Sequence, residues 1–185
     1  MEEVQEIKRS EECPFCLIIS GKIKTLKIYE DAKVVVILDI NPASIGHMLV
    51  IPRKHYSLFS QISDQDLAHI MITISRLSQL VKKSFNTEAL NIIIAEGELA
   101  GQRADHCIIH LIPRFKEDGL NFMWQPKKAK EEDLKQIQSL LLKNIQYLKE
   151  VEVQQEKKPE KPKEINRDEL KFYEEQLLKQ EEREP

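Results

Sequence analysis

The sequence predicts an α+β fold in which an antiparallel sheet packs on one amphipathic helix, followed by a helical C-terminal extension. Two pairs of short β-branched segments and one long segment of helical periodicity lead to this prediction. The chain has 185 residues, of which 41% are hydrophobic and 32% charged. Such a length suffices for one buried core and an appendage, and leaves little room for a second full domain.

The first strand pair is predicted at residues 32–39 and 46–52, because each is a short apolar, β-branched run. Between them, Asn41 and Pro42 are typical turn formers. Turn residues between two such runs indicate adjacent antiparallel strands.

A helix is predicted over residues 64–83. Ser63 can cap its N-terminus, and apolar residues then recur at helical spacing as far as Val81. A second strand pair is predicted at residues 90–95 and 106–112. The order of strand pair, helix and strand pair favours an antiparallel sheet covered by the helix.

Charge density divides the chain near residue 128. In the last 57 residues 27 are charged, against 32 of the first 128. We therefore expect one domain over residues 1–128, a docking helix over 129–150 with an apolar stripe, a charged linker over 151–164, and a terminal helix or flexible tail over 165–185. A terminal helix on such a linker also suits a protein partner bound through residues 151–185.

Composition argues against several classes of protein. A net charge of −3 disfavours a general nucleic-acid binder. No apolar run reaches the length of a membrane span, and the charged N-terminus has no signal-peptide core, so we expect a cytoplasmic protein. Three cysteines in a reducing compartment do not make a disulfide framework, which directs attention to Cys13 and Cys16 as a metal or redox pair.

Residues 101–114 contain several of the candidate functional side chains of the chain, including two histidines and one cysteine. Alternate side chains of an extended strand share a face, so His106, Ile108 and His110 should lie on one side. The opposite side should carry Cys107, Ile109 and Leu111.

This segment resembles the signature of the histidine triad (HIT) superfamily, in which Gly-Gln precedes three histidines at alternate positions, followed by two apolar residues and often Pro-Arg. Gly101-Gln102 and Pro113-Arg114 are in register with that signature. Residues 38–42 and 46–55 resemble the superfamily's strand pair, and the likeness covers residues 12–118. Residues 118–124 are similar to archaeal members.

The resemblance implies a homodimer and a purine nucleotide ligand. In this sequence the implied nucleotide-binding residues are Asp39, Ile40, His47, Gln102, Arg103 and His110. Asp39 would accept hydrogen bonds from ribose hydroxyls, and Ile40 would pack near the base. The alternative is that His47 and His110 are buried scaffold residues and that Gln102 is only a turn residue.

Two departures from the superfamily pattern bear on activity. In active members the middle histidine attacks the α-phosphate and carries the nucleotide covalently, whereas this sequence has Ile108, which has no lone pair. Ala95 stands where members commonly carry a phosphate-binding asparagine, and Arg103 replaces a small hydroxyl residue. Arg103 can act as a cationic phosphate clamp or can fill the pocket.

Cys13 and Cys16 have the spacing of two thiolate ligands to one tetrahedral zinc ion. The resemblance implies that His55 and His106 complete a Cys2His2 structural zinc site. The alternatives are a thioredoxin-like redox pair or two ordinary buried thiols.

Three hypotheses of function follow. The leading one is a degenerate HIT-like protein, stabilised by zinc, that binds purine nucleotides or regulates without covalent nucleotidyl chemistry. The second is a nucleotide hydrolase or transferase that uses His110 or His47 as a base. The third is an interaction scaffold that acts through residues 151–185.

Overall fold

The computed structural model describes residues 13–145. Five antiparallel strands form one sheet in the order β1-β2-β3-β5-β4, which confirms the predicted α+β class. The elements are α1 (Pro14–Ile19), β1 (Lys27–Glu30), β2 (Val34–Leu38), β3 (Met48–Pro52), α2 (Asp64–Phe85), β4 (Ala89–Ile94), β5 (Ile109–Arg114) and α3 (Glu131–Asn144), with 3-10 turns at Phe59–Gln61 and Glu98–Ala100.

Pairing of β3 with β5 joins the two predicted strand pairs into one sheet. Val50 lies opposite Ile109, and Leu49 lies opposite His110. Since β3 follows directly after His47, this register brings His47 close to His110, although 63 residues separate them along the chain.

Helix α2 covers one face of the sheet. Its cap is as predicted, because the Ser63 hydroxyl oxygen accepts a hydrogen bond from the Asp66 amide at 3.3 Å. The main core lies beneath the helix, where alternate side chains of the strands meet its apolar stripe. Its buried members include Val34, Val36, Met48, Val50, Ile70, Ile74, Leu77, Val81, Cys107, Ile109 and Leu111.

A second apolar cluster lies on the opposite face. Its buried residues are Ile18, Val35, Ile37, Leu49 and Ile51. Phe15, Ile19 and Ile108 pack against that group. The short helix α1 is therefore held to the sheet by its own apolar side chains.

The structure corrects several predicted boundaries. Strands β2 and β3 are shorter than the predicted 32–39 and 46–52, and β4 begins and ends one residue earlier than the predicted 90–95. The last strand begins at Ile109, so residues 106–108 precede it in an irregular segment, yet their side chains still alternate between the two faces. Helix α2 continues to Phe85. Neither α1 nor β1 was predicted, because α1 has only six residues and all four residues of β1 are exposed, which removes the periodic signal.

Helix α3 occupies most of the predicted docking segment. Three acidic residues fill its first turn, where they favour the positive end of the helix dipole. Its docking onto the domain stays a prediction, and residues 146–185, with the predicted linker and terminal helix, lie outside the described residues. Within residues 13–145 no helix is long and apolar enough to cross a membrane.

A buried carboxylate ties α2 to the sheet. Asp66 accepts a hydrogen bond from the Tyr56 hydroxyl at 2.6 Å and contacts the ammonium group of Lys33, which precedes β2. These two partners hold the pKa of Asp66 below its ordinary value, despite the opposing effect of burial.

We expect Tyr56→Phe to lower the free energy of unfolding by about 2 kcal/mol, because it removes one buried hydrogen bond to a charged group at almost constant volume. Urea denaturation measures the change. Tyr29→Phe is the matched control, because the Tyr29 hydroxyl bonds to Asp31 at an exposed site and should matter less. Equal losses in the two variants would contradict this account.

Candidate functional site

Four metal-ligating side chains converge from three separate segments. Cys13 lies immediately before α1 and Cys16 lies within it, while His55 follows β3 and His106 precedes β5. One donor atom from each residue lies within 4.8 Å of all the others. Two thiols and two imidazoles are the donor set of a closed tetrahedral zinc site.

The contacts within this cluster define which imidazole atoms face the thiols. His106 Nδ1 lies 3.5 Å from Cys13 Sγ and 3.7 Å from Cys16 Sγ. His55 Nδ1 lies 3.3 Å from Cys16 Sγ. The Nε2 of His106 donates to the Pro52 carbonyl at 3.0 Å, which leaves the Nδ1 lone pair available to a metal.

Burial favours the neutral forms of His106 and Cys16 when no cation is bound. It lowers the pKa of His106 to about 4. Burial is the main cause that raises the pKa of Cys16 to about 12, and the neighbouring Cys13 raises it further. A bound cation reverses the effect on a thiol, because the thiolate is the form that coordinates a metal.

The structure places His47 and His110 in direct contact. His47 Nε2 lies 3.0 Å from His110 Nδ1. The Ala43 amide donates to His47 Nδ1 at 3.1 Å, so the His47 proton belongs on Nε2, from which it is donated to His110. By this assignment His110 carries its own proton on Nε2, and neither of its ring nitrogens is a free base.

Asp39 completes this second group, with Oδ2 at 3.4 Å from His47 Nδ1. The donor atoms of Asp39, His47 and His110 also lie within 4.8 Å of one another. The Ala43 amide nevertheless occupies the His47 Nδ1 lone pair, so His47 and His110 form a hydrogen-bonded pair rather than a metal site, and Asp39 is a neighbouring charge. Burial lowers the pKa of both histidines, against the opposing charge of Asp39.

Gly46 fixes the position of His47 at the start of β3. Its φ of +79° is favourable only for glycine, and an added Cβ would lie 2.4 Å from the Phe85 ring. The chain therefore enters β3 in close contact with the end of α2, and His47 is buried beside Asp39.

Ile108 lies between the two groups, on the face that also carries His106 and His110. It is partly buried and packs against the cluster of Ile18, Val35, Ile37, Leu49 and Ile51. Cys107 points to the opposite face, where it belongs to the core beneath α2. Burial raises the pKa of Cys107 to about 11, which disfavours its thiolate.

The other predicted nucleotide-binding residues lie in two places. Ile40 is 87% exposed beside Asp39, after the end of β2. Gln102 and Arg103 line a cavity of about 610 Å³ with Leu58 and Glu98, whereas Asp39, His47 and His110 are not among its lining residues. Arg103 is exposed.

Gln102 makes three hydrogen bonds to the backbone. Its Oε1 accepts from the Gly97 amide at 2.7 Å, and its Nε2 donates to the carbonyls of Ser57 and Ala104 at 2.6 and 2.9 Å. The side-chain amide thus holds residues 97–104 onto the segment after His55.

Sequence reasoning did not find several residues that order these groups. Ala43 orients the His47 ring through its backbone amide. Glu96, next to the loop that Gln102 anchors, accepts hydrogen bonds from the Ser60 hydroxyl at 2.7 Å and the Ser60 amide at 3.0 Å. Backbone donors and bonds between distant loops carry no periodic signal in a sequence.

Comparison with known proteins places this fold in a defined class. Residues 20–117 match the HIT domain. An uncharacterized HIT-like protein of Methanocaldococcus jannaschii is 39% identical over 107 residues, covering 58% of this chain and 82% of the relative. An adenosine 5'-monophosphoramidase of Schizosaccharomyces pombe is 35% identical over 124 residues, which cover 66% of this chain and 90% of the relative.

Solved structures agree with these relatives. A HIT family member of Bacillus subtilis has a TM-score of 0.67 at 34% identity, covering 71% of this chain and 96% of that one. A zinc-bound histidine triad family protein of Mycobacterium smegmatis has a TM-score of 0.57 at 30% identity, and the match covers 75% of this chain and 99% of that one. The chain belongs to the HIT family.

We expect Gln102→Leu to lower the free energy of unfolding by about 2 kcal/mol and to increase amide exchange in residues 97–104, because it breaks the three backbone bonds. Hydrogen-exchange mass spectrometry with urea denaturation measures both effects. Arg103→Leu is the neighbouring control and should leave the loop protected. Unchanged exchange in Gln102→Leu would contradict the anchoring role.

Proposed function

We propose that this chain is a zinc-stabilised HIT protein with a purine nucleotide-binding or regulatory role, and that it forms no covalent nucleotidyl-histidine. The observation that carries the proposal is the side chain at position 108. Ile108 stands between His106 and His110 on their shared face, the place that the superfamily signature gives to the nucleophile. A hydrocarbon cannot form the bond to phosphorus.

The hydrogen bonds of His110 weigh against the alternative of hydrolysis by a non-covalent route. A general base needs a free lone pair within reach of the proton that it removes. His110 uses its Nδ1 lone pair to accept from His47, and the His47 Nδ1 accepts from Ala43. By this arrangement His110 can donate a hydrogen bond from Nε2 to a ligand but has no lone pair to activate water, and both ring nitrogens of His47 are already engaged within the protein.

The nucleotide part of the proposal rests on the relatives and on the residues beside His47. One relative is named for its action on an adenosine 5'-monophosphoramidate. Asp39 is 16% exposed in its side chain, and its Oδ1 already accepts from the Asn41 amide at 2.8 Å. We propose that Asp39 accepts from the ribose hydroxyls and that the exposed Ile40 packs against the base, while Gln102 and Arg103 lie near the phosphate.

For the metal, we propose a structural zinc ion held by Cys13, Cys16, His55 and His106. Support comes from the convergence of their donor atoms and from the zinc-bound relative of known structure. When bound, zinc would supply structural cross-linking, because a four-ligand site has no open position for water. The homodimer, the cytoplasmic location and a partner for residues 151–185 stay predictions.

Binding can be measured directly by isothermal titration with AMP. We expect a dissociation constant below about 1 mM in the full chain. Asp39→Asn should weaken binding by about tenfold, because the amide accepts hydrogen bonds without the carboxylate charge. Asp64→Asn is the control, since that carboxylate lies in the first turn of α2. Absence of heat at millimolar AMP would remove the binding role.

Ile108→His restores the missing nucleophile. We expect this variant to gain turnover of adenosine 5'-phosphoramidate of at least about tenfold over the unsubstituted chain, which should have almost none. Ile108→Ala is the matched control, because it removes the same packing without adding a nitrogen. Turnover in the unsubstituted chain equal to that of Ile108→His would support the enzyme alternative instead.

Zinc content should be one ion per chain, and chelation should lower the melting temperature by on the order of 10 °C. Cys16→Ser should lose the ion, because it removes one ligand. Cys107→Ala is the control, since this thiol lies in the core on the opposite face. Retention of zinc by Cys16→Ser, measured by elemental analysis, would contradict the assigned ligand set.

A further inference from the structure

The two imidazoles of the Cys2His2 cluster differ in the surroundings of their second ring nitrogen. His106 Nε2 has the Pro52 carbonyl as its acceptor at 3.0 Å. His55 Nε2 is buried and has no hydrogen-bond partner among residues 13–145. The side chain of His55 is only 9% exposed, so water does not readily replace that partner.

Metal coordination would require an acceptor for the His55 Nε2 proton, as His106 Nε2 already has one. His55 Nδ1 faces Cys16 Sγ at 3.3 Å, so Nδ1 is the nitrogen available to an ion. A neutral imidazole that coordinates through Nδ1 must carry its proton on Nε2. His55 would then hold a buried N–H donor that needs an acceptor.

One carboxylate is close to that donor. Asp105 Oδ2 lies 3.9 Å from His55 Nε2, beyond hydrogen-bond range but within about 1 Å of it. The Asp105 side chain is 58% exposed, so it can rotate without breaking any buried contact. Asp105 also directly precedes His106, so the same segment supplies one ligand of the cluster and the carboxylate beside another.

We propose that Asp105 is a positioning residue for the metal site, which accepts a hydrogen bond from His55 Nε2 and so fixes the tautomer and ring orientation of that ligand. Carboxylate–histidine–metal arrangements raise the basicity of the histidine and strengthen coordination. The inference rests on the proposed zinc site and adds to it a residue that does not touch the metal.

The test compares zinc affinity in full-length variants by competition with a chelator. We expect Asp105→Ala to bind zinc about tenfold more weakly than the unsubstituted chain, at the lower end of the range for such partners. Asp105→Asn should lose less affinity, because its amide oxygen still accepts a hydrogen bond. Glu98→Ala is the control for loss of a negative charge, since Glu98 lines the same cavity as Asp105.

A second readout follows the proton itself. In the zinc-loaded, nitrogen-15-labelled chain, the His55 Nε2–H should give a slowly exchanging NMR signal that Asp105→Ala abolishes. The His106 Nε2–H, bonded to Pro52, should persist in that variant as an internal control.

Three results would overturn the proposal. Asp105→Ala could bind zinc within twofold of the unsubstituted chain, Glu98→Ala could lose as much affinity as Asp105→Ala, or the His55 signal could survive the substitution. Failure of the unsubstituted chain to bind zinc is a separate result, which would remove the metal site and this inference together.

Discussion

Alternation of side chains from His106 to Leu111, through the irregular residues 106–108 and into β5, is the constraint on which the other features depend. Cys107, Ile109 and Leu111 enter the core beneath α2, whereas Ile108 packs on the opposite face with the apolar residues of α1. Because successive residues must point to opposite faces, Cys107 is committed to the core. The chemistry of the face that carries both histidines is therefore decided by the residue at position 108.

That face combines packing with the proposed metal site. Ile108 joins an apolar cluster that includes Phe15 and Ile19 of α1, while Cys16 of the same helix faces His55 and His106. The short helix is thus held from two sides, by burial of apolar surface and by the thiol–imidazole contacts. An apolar side chain at position 108 contributes to this packing, whereas a histidine there would place a polar ring against hydrocarbon.

Much of the fold could be predicted because periodic burial is a local signal. The predicted helix begins at the observed residue and ends two residues early, since its apolar stripe and its serine cap are both visible in the sequence. The exposed strand β1 and the six-residue α1 have no such pattern. Tertiary contacts, and not propensity, determine their structure.

Less of the candidate site than of the fold could be predicted from local sequence patterns. Spacing alone indicated the pair Cys13 and Cys16, but their meeting with His55 and His106 followed only from the family resemblance. The histidine pair was expected in the pocket, yet the amide of Ala43 determines its proton arrangement. A backbone donor has no sequence signature, and neither does the side-chain amide of Gln102 in its three-bond anchoring role.

The absence of covalent chemistry is the central claim, and rapid quenching followed by intact-mass measurement tests it most directly. The chain is mixed with adenosine 5'-phosphoramidate at a concentration that saturates binding. The reaction is quenched within milliseconds, and the intact mass of the chain is measured by mass spectrometry. We predict only the unmodified mass. A species heavier by one adenylyl group, with the modification mapped to the segment containing His106 and His110, would contradict the claim.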